Sequence, residues 1–278
     1  EEPTRLRPWA VYKNGAEIFC RDNAPAPFVP DSFPEDFYHS VTLPPLTPDL
    51  FSLPVSRFVE GPAPDRVTVR AIEVLPDRTQ TREKLVTMPV RDGKIQWKGS
   101  GCLLAVVLER HGKNGGVGYG FLTGACHRHG TAATTYFHDH HNLFIAGDDE
   151  ADMLLAARRI QELQGGFLTV EGGRILEELP LPICGILSDG SVEEVGRRLC
   201  GIRTSLTALG YHHPNPIMSL QQQTPRSRPS EVRCGVFWLL GRDQSASGAW
   251  PSWASHLQSV SAMSVKTARK EESSGLQA

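Results

Sequence analysis

Residues 148–179 read DDEADMLLAARRIQELQGGFLTVEGGRILEEL, and the order of signals within this stretch separates antiparallel pairing from βαβ winding. Asp148 or Asp149 can cap a helix, because a short carboxylate accepts from the orphan N–H groups of the first turn. Met153, Leu154, Ala157, Ile160 and Leu163 then recur at helical spacing. Gly165-Gly166 ends the helix. Residues 167–170 and 174–179 read as strands on either side of Gly172-Gly173, a dipeptide that tolerates the positive φ of a tight hairpin turn. A helix followed at once by a hairpin is the pattern of an antiparallel sheet with helices laid on it.

The same signals recur on both sides. Asp92-Gly93 separates residues 84–90 from 94–97, a second hairpin. Residues 66–74 alternate at period two, with Val67, Val69 and Ala71 on one face. Leu103–Leu108 is a continuous apolar run, which reads as a buried central strand. Residues 117–122 and 142–146 are two shorter strand candidates. Ser191 and Glu194 form a capping box for a helix carrying Val195, Leu199, Ile202, Leu206 and Leu209, which Gly210 stops. The expected fold class is α+β: a mostly antiparallel sheet with two principal helices, 149–164 and 192–209, preceded by a small β-hairpin segment. That hairpin is residues 9–20, two apolar strands around Asn14-Gly15. A lone hairpin is marginal in water, so it is expected to belong to a sheet whose other strands lie elsewhere. Residues 25–64 are proline-rich and irregular. Residues 221–278 carry no sustained period and read as a disordered tail.

The 278 residues suffice for one large domain or two modest ones. Apolar residues make up 40% and charged residues 22%, ordinary globular usage, so wholesale disorder is excluded. With 29 basic against 31 acidic side chains, no basic excess points to nucleic acid and no charge run to a membrane surface. No stretch reaches the roughly 18 apolar residues of a membrane helix, and the opening EEPTRLRPW is not a signal peptide. A soluble cytoplasmic protein is expected. Cysteines at 20, 102, 126, 184, 200 and 234 form no C-x-x-C pair and read as buried free thiols.

The candidate chemistry lies in one window. His127, His129, His138, His140 and His141 fall within it, with Asp139 beside them. Imidazole is the commonest nitrogen ligand for transition metals, and a carboxylate adds a hard oxygen donor. In a strand His127 and His129 would share a face, as would His138 and His140, with Asp139 and His141 opposite. A polar strand end without metal is the alternative. His111 follows Glu109-Arg110 where the apolar run ends, a place that suits either a functional group or a surface charge cluster. Residues 112–116, GKNGG, lack the Gly-Lys-Ser/Thr ending and the following helix of a phosphate loop, and read as a hairpin turn. No Gly-x-Ser-x-Gly elbow occurs, and Cys126 beside His127 points the wrong way for a thiol nucleophile.

Six blocks carry a family resemblance: ERHG at 109–112, TTYFHDHHNLFIAG at 134–147, DEADM at 149–153, ELQGG at 162–166, ELPLP at 178–182 and GILSD at 185–189. In this order and spacing they resemble the C-terminal region of bacterial adenine deaminases of the amidohydrolase superfamily. The resemblance covers roughly residues 66–220 and implies a particular organisation. Residues 1–64 would be a remnant hairpin and linker after a missing catalytic barrel, residues 65–220 the α+β domain, and residues 221–278 a divergent tail. It implies a divalent metal, manganese or else iron or zinc, with metal-bound water attacking adenine or a related aminopurine. It implies a barrel-domain partner and a homo-oligomer, and neither a nucleic acid nor a membrane. A (β/α)8 barrel needs about 200–250 residues of strand–helix units, which this chain does not show, so the chain alone is expected to be incomplete as an enzyme.

The site residues the resemblance implies are His138, Asp139, His141 and Asn142, with Arg110 and His111 second. His138, Asp139 and His141 are the metal candidates, and Asn142 would donate to substrate or a carboxylate. His140 stands where the family usually carries serine. After Met218-Ser219-Leu220 the family's apolar segment gives way here to QQQTPRSRPSEVRCG, so an open sheet edge is expected. Three functions follow from this reading: part of an adenine deaminase, a non-catalytic binding or assembly module, and a small metal hydrolase in its own right.

Overall fold

The computed structural model describes residues 8–23, 29, 32–58, 61–76, 78, 81–137 and 141–221. The tail expected at 221–278 lies, beyond its first residue, outside the described residues.

The chain opens with β1 (Ala10–Lys13) and β2 (Ala16–Cys20), a two-stranded sheet of their own. Asn14 and Gly15 take φ of 51° and 79°, the double positive turn that Asn-Gly prefers. Trp9, Tyr12 and Ile18 are 59%, 63% and 57% exposed, so nothing among the described residues covers this hairpin.

A nine-stranded sheet follows, formed by β3 (Arg66–Val74), β4 (Thr81–Arg91), β5 (Lys94–Ile95), β6 (Leu103–Leu108), β7 (Val117–Gly124), β8 (Thr131–Thr134), β9 (Leu143–Gly147), β10 (Gly166–Glu171) and β11 (Arg174–Pro180). Their spatial order is β11-β10-β8-β9-β6-β7-β3-β4-β5. Each neighbouring pair is antiparallel except one: β3 meets β7 in parallel, through Ile72–Leu122, Glu73–Thr123 and Val74–Gly124. Gly124 is obligatory there, because a Cβ would stand 2.4 Å from the Val74 carbonyl oxygen. The expected α+β class, with its mostly antiparallel sheet and preceding hairpin, is what the chain forms.

The apolar run 103–108 is central, paired with β7 on one side and β9 on the other. Its alternate residues enter two cores. Leu104, Val106 and Leu108 join Val67, Val69, Ala71 and Ile145 on one face. Leu103 and Ala105 join Phe137, Phe144 and Phe167 on the other. Helix α1 (Glu150–Glu162) adds Met153, Ala156, Ala157 and Ile160 to the first core. Helix α2 (Val192–Ala208) adds Ile202 and Leu206 to the second. The two principal helices therefore lie on opposite faces. The proline-rich stretch also contributes, because Phe51, Leu53 and Val55 are buried in the first core.

Local chemistry fixes the joints. The Asp149 carboxylate accepts from Ala151 N and Asp152 N, and Ser191 Oγ accepts from Glu194 N, so both helices are capped by the expected residues, with the Glu194 carboxylate accepting from Arg198. Buried Asp152 accepts from Gly172 N at 2.8 Å and Gly173 N at 2.7 Å, fastening α1 to the turn of the β10–β11 hairpin.

Two elements carry no sequence signal of the usual kind. The TAAT of β8 is buried throughout and has no polar–apolar alternation. The short helix α3 (Pro216–Gln221) is fastened by Tyr211 OH donating to Ser219 Oγ at 3.1 Å. The sheet edges are β11 and the two-residue β5. The β11 edge is guarded: its pairing with β10 shifts register at Thr169/Val170, and Arg198 donates to the Glu178 carbonyl at 3.2 Å. Among the described residues no helix is long and apolar enough to cross a membrane.

Candidate functional site

The register of β6 against β9 ends at Leu108–Leu143. Continued two residues outward, it sets Arg110 opposite His141. The Arg110 side chain is turned inward and the residue is 2% exposed. Its Nε donates to the His141 carbonyl, its Nη1 to the Ser40 carbonyl at 3.2 Å, and its Nη2 to the Cys184 carbonyl at 2.9 Å. Burial pushes the guanidinium pKa down, yet a guanidinium stays charged at any ordinary pH. The planar fork suits three carbonyls converging from separate segments. Gly185 makes room for it: a Cβ there would lie 2.5 Å from Arg110 Nη1.

Thr135, fully buried, holds the other end of the histidine segment. Its N–H donates to the Gly166 carbonyl at 2.9 Å, its Oγ1 donates to the Gly185 carbonyl at 2.6 Å and accepts from Gly166 N at 2.8 Å. Residues 135 and 141 are thus tied to successive carbonyls of one segment, Thr135 directly to that of Gly185 and His141 through Arg110 to that of Cys184. His141 itself has φ of 49°, a left-handed conformation that costs a non-glycine residue energy. His141 and Asn142 are half-buried. His138, Asp139 and His140 lie outside the described residues.

Arg110 and His141 are therefore brought together, but through a backbone carbonyl. The guanidinium is engaged with carbonyls and works as a clamp. His111 stands apart on the exposed side, its N–H donating to Glu109 Oε1 at 2.6 Å. Glu109 also accepts from Lys113 N, Asn114 N and Gly115 N. Burial works to raise its carboxyl, but these N–H groups outweigh that and hold it below the usual range. The turn at 112–116 directs its N–H groups onto this internal carboxylate, as a hairpin turn between β6 and β7. Of the expected metal ligands only His141 is described, and one imidazole is not a metal site. Among the described residues no group of three or more His, Cys, Asp or Glu could hold an ion.

The shared strand face expected for His127 and His129 is corrected. Both lie in the connection between β7 and β8, where Gly124 and Gly130 take positive φ and break the strand. His127 is 1% exposed, 3.1 Å from the Ala146 carbonyl through Nε2 and stacked on Tyr211 with ring centroids 6.1 Å apart. A carbonyl can only accept, so Nε2 carries the proton. Burial pushes the imidazole pKa down to about 4. His129 faces outward, its Nδ1 2.6 Å from Glu171. The thiols also depart from expectation. Cys102 and Cys126 are buried, Cys20 and Cys184 half-buried, and Cys200 exposed. Burial pushes the Cys126 thiol up to about 12, which makes it inert.

The residues whose roles sequence reading missed are Ser40, Thr135, Cys184 and Gly185. They act through backbone groups and the hydroxyls of Ser40 and Thr135, which no spacing pattern announces. Their traces are Thr135 within the block 134–147 and Gly185 heading the block GILSD.

Comparison with known proteins agrees with this architecture. The profile of the adenine deaminase C-terminal domain matches residues 78–228. An adenine deaminase of Clostridium perfringens is 37% identical over 218 residues, covering 76% of this chain and 37% of the relative. Adenine deaminase 2 of Shouchella clausii is 39% identical over 216 residues, 76% of this chain and 36% of the relative. The adenine deaminase of Moorella thermoacetica is 40% identical over 192 residues, 68% of this chain and 31% of the relative. The chain thus spans about a third of the length of these relatives. With the profile covering more than half of the chain and the sheet, caps and hairpins in place, the chain belongs to the adenine deaminase C-terminal domain family.

Proposed function

We propose that this chain serves as the C-terminal domain of an adenine deaminase, which converts adenine and water to hypoxanthine and ammonia, and that the chemistry requires a barrel-domain partner. The observation that carries this reading is the anchoring of positions 135 and 141: Thr135 bonds the Gly185 carbonyl, and His141 is tied through Arg110 to the Cys184 carbonyl, within the stretch that the family profile matches. An anchored backbone at the end of a rigid sheet can present the His141 side chain at a fixed place. The histidine segment would face the barrel, and adenine or a related aminopurine would bind there. A cytoplasmic homo-oligomer belongs to the same proposal.

By resemblance a divalent metal, manganese or else iron or zinc, supplies a bound water that is nucleophilic near neutral pH. His138, Asp139 and His141 are the residues of this chain proposed to reach such an ion. The described residues alone do not make its site, and no step is derived through it.

The test exchanges the matching 218 residues of the Clostridium perfringens enzyme for those of this chain. Ammonia release from adenine, with manganese added and bound metal quantified in the same sample, is expected from the chimera and not from this chain alone. In the chimera His141→Ala is expected to lower turnover at least about tenfold, the scale of a positioned polar group. A folded chimera that releases no ammonia would leave a non-catalytic assembly module. Turnover by the chain alone would remove the need for a barrel.

A further inference from the structure

A short strap, residues 37–42, lies outside the nine-stranded sheet and crosses the clamp. Cys184 N donates to the Phe37 carbonyl at 2.7 Å. The Ser40 carbonyl accepts from the Arg110 guanidinium. Val41, 3% exposed, donates through its N–H to Gln164 Oε1 at 3.0 Å. Thr42 N donates to the Arg110 carbonyl at 2.8 Å. Thr42 packs on Gly112, where a Cβ would come within 3.2 Å of its side chain.

Arg110 therefore grips the strap twice, once through its own carbonyl and once through its guanidinium. The same guanidinium holds the carbonyl of His141, whose left-handed φ persists only while its surroundings impose it. Cys184 closes the circuit, since its N–H takes the strap and its carbonyl takes Arg110.

We infer that Arg110 is a positioning residue that makes the backbone conformation of His141 depend on the docking of residues 37–42. It acts through the His141 backbone and touches no reacting atom. The inference rests on the proposed role of the histidine segment for its functional meaning, but its physical content stands on this chain alone. A strap that docks sets His141, and a strap that lifts releases the Ser40 carbonyl, lets the guanidinium turn, and frees the His141 carbonyl. Whatever pulls on the strap is then felt at His141 without touching it.

The test is spectroscopic and uses the full chain. With the histidine rings labelled, the Cε1–Hε1 signal of His141 is followed at fixed pH, and that of His129, held by Glu171, is the internal reference. Val41→Ser loosens the strap without altering Arg110 or His141. It is expected to displace the His141 signal by more than a line width while His129 stays in place. Arg110→Lys keeps the charge but loses the planar fork, and is expected to displace the same signal further. Thr135→Ser is expected to leave it where it is. A folded Val41→Ser chain with an unmoved His141 signal overturns the coupling, whether or not Arg110→Lys folds. Because no turnover is measured, an inactive chimera and an unmoved signal are separate failures.

Discussion

At the scale of single residues, burial changes what a side chain is for. His127 shows this in its pH dependence. Its pKa is lowered to about 4 from 6.5 by burial, so the folded chain keeps the ring neutral where the unfolded chain protonates it. The stability linked to His127 is whole above pH 6.5 and is lost as pH falls from about 6.5 toward about 4. Across that window this group costs up to about 1.4 kcal/mol per pH unit. Its Nδ1 is buried with no partner among the described residues, so it offers the proton no compensation. Urea unfolding between pH 4 and pH 7 is expected to show this slope, and His127→Phe to flatten it. Sequence reading singled out this histidine correctly as unusual and misread its purpose. Spacing reports which residues are near in the chain, whereas desolvation, which fixes the ring as neutral, comes from Tyr211 and β9. Arg110 stood out through the family resemblance and was illegible as a clamp, because its partners are carbonyls of residues 40, 141 and 184.

At the scale of elements, legibility was high wherever one local interaction sufficed. Asn14-Gly15, Asp92-Gly93 and Gly172-Gly173 all take positive φ at both positions and turn the hairpins expected of them. The caps at Asp149 and Ser191 were equally plain. Asp149 also reaches Lys98 at 3.1 Å; burial works to raise its carboxyl, while Lys98 and two backbone N–H groups outweigh it and hold it low. Asp149→Ala is expected to destabilise the chain by about 1 kcal/mol through the lost cap, with Asp149→Asn retaining most of it, as read by thermal or urea unfolding. The surface ion pair with Lys98 adds little to this. What stayed hidden were elements defined by tertiary contact alone. The TAAT of β8 is strand because β10 and β9 flank it, and nothing within four small residues says so. The strap at 37–42 reads as irregular proline-rich chain, and only the packing of Val41 and its bonds to Arg110 and Gln164 give it a place.

At the scale of the whole molecule, two cores on opposite faces of one sheet carry the stability. Phe144 sits in the second core, fully buried, with its ring centroid 4.9 Å from that of Phe137. Phe144→Ala is expected to cost about 3–5 kcal/mol, the transfer loss plus the cavity left behind, a large share of a domain's margin. A midpoint in urea lowered without a change in slope would confirm it; an unchanged midpoint would show that the second core is dispensable. The class of this sheet was legible from its hairpins, but its order was not, because the joint between β3 and β7 has no turn to announce it. That joint has a consequence in time. The sheet is a three-stranded meander, β3-β4-β5, and a six-stranded antiparallel part, β7-β6-β9-β8-β10-β11, meeting at a parallel seam of three residue pairs whose partners lie roughly fifty residues apart in the chain. Hairpins close quickly over short loops, and a seam between distant segments must wait for both sides to exist. Folding is therefore expected to wait on Ile72–Val74 and Leu122–Gly124, far from the histidines, and a substitution there is expected to slow refolding more than it speeds unfolding, as read by stopped-flow fluorescence.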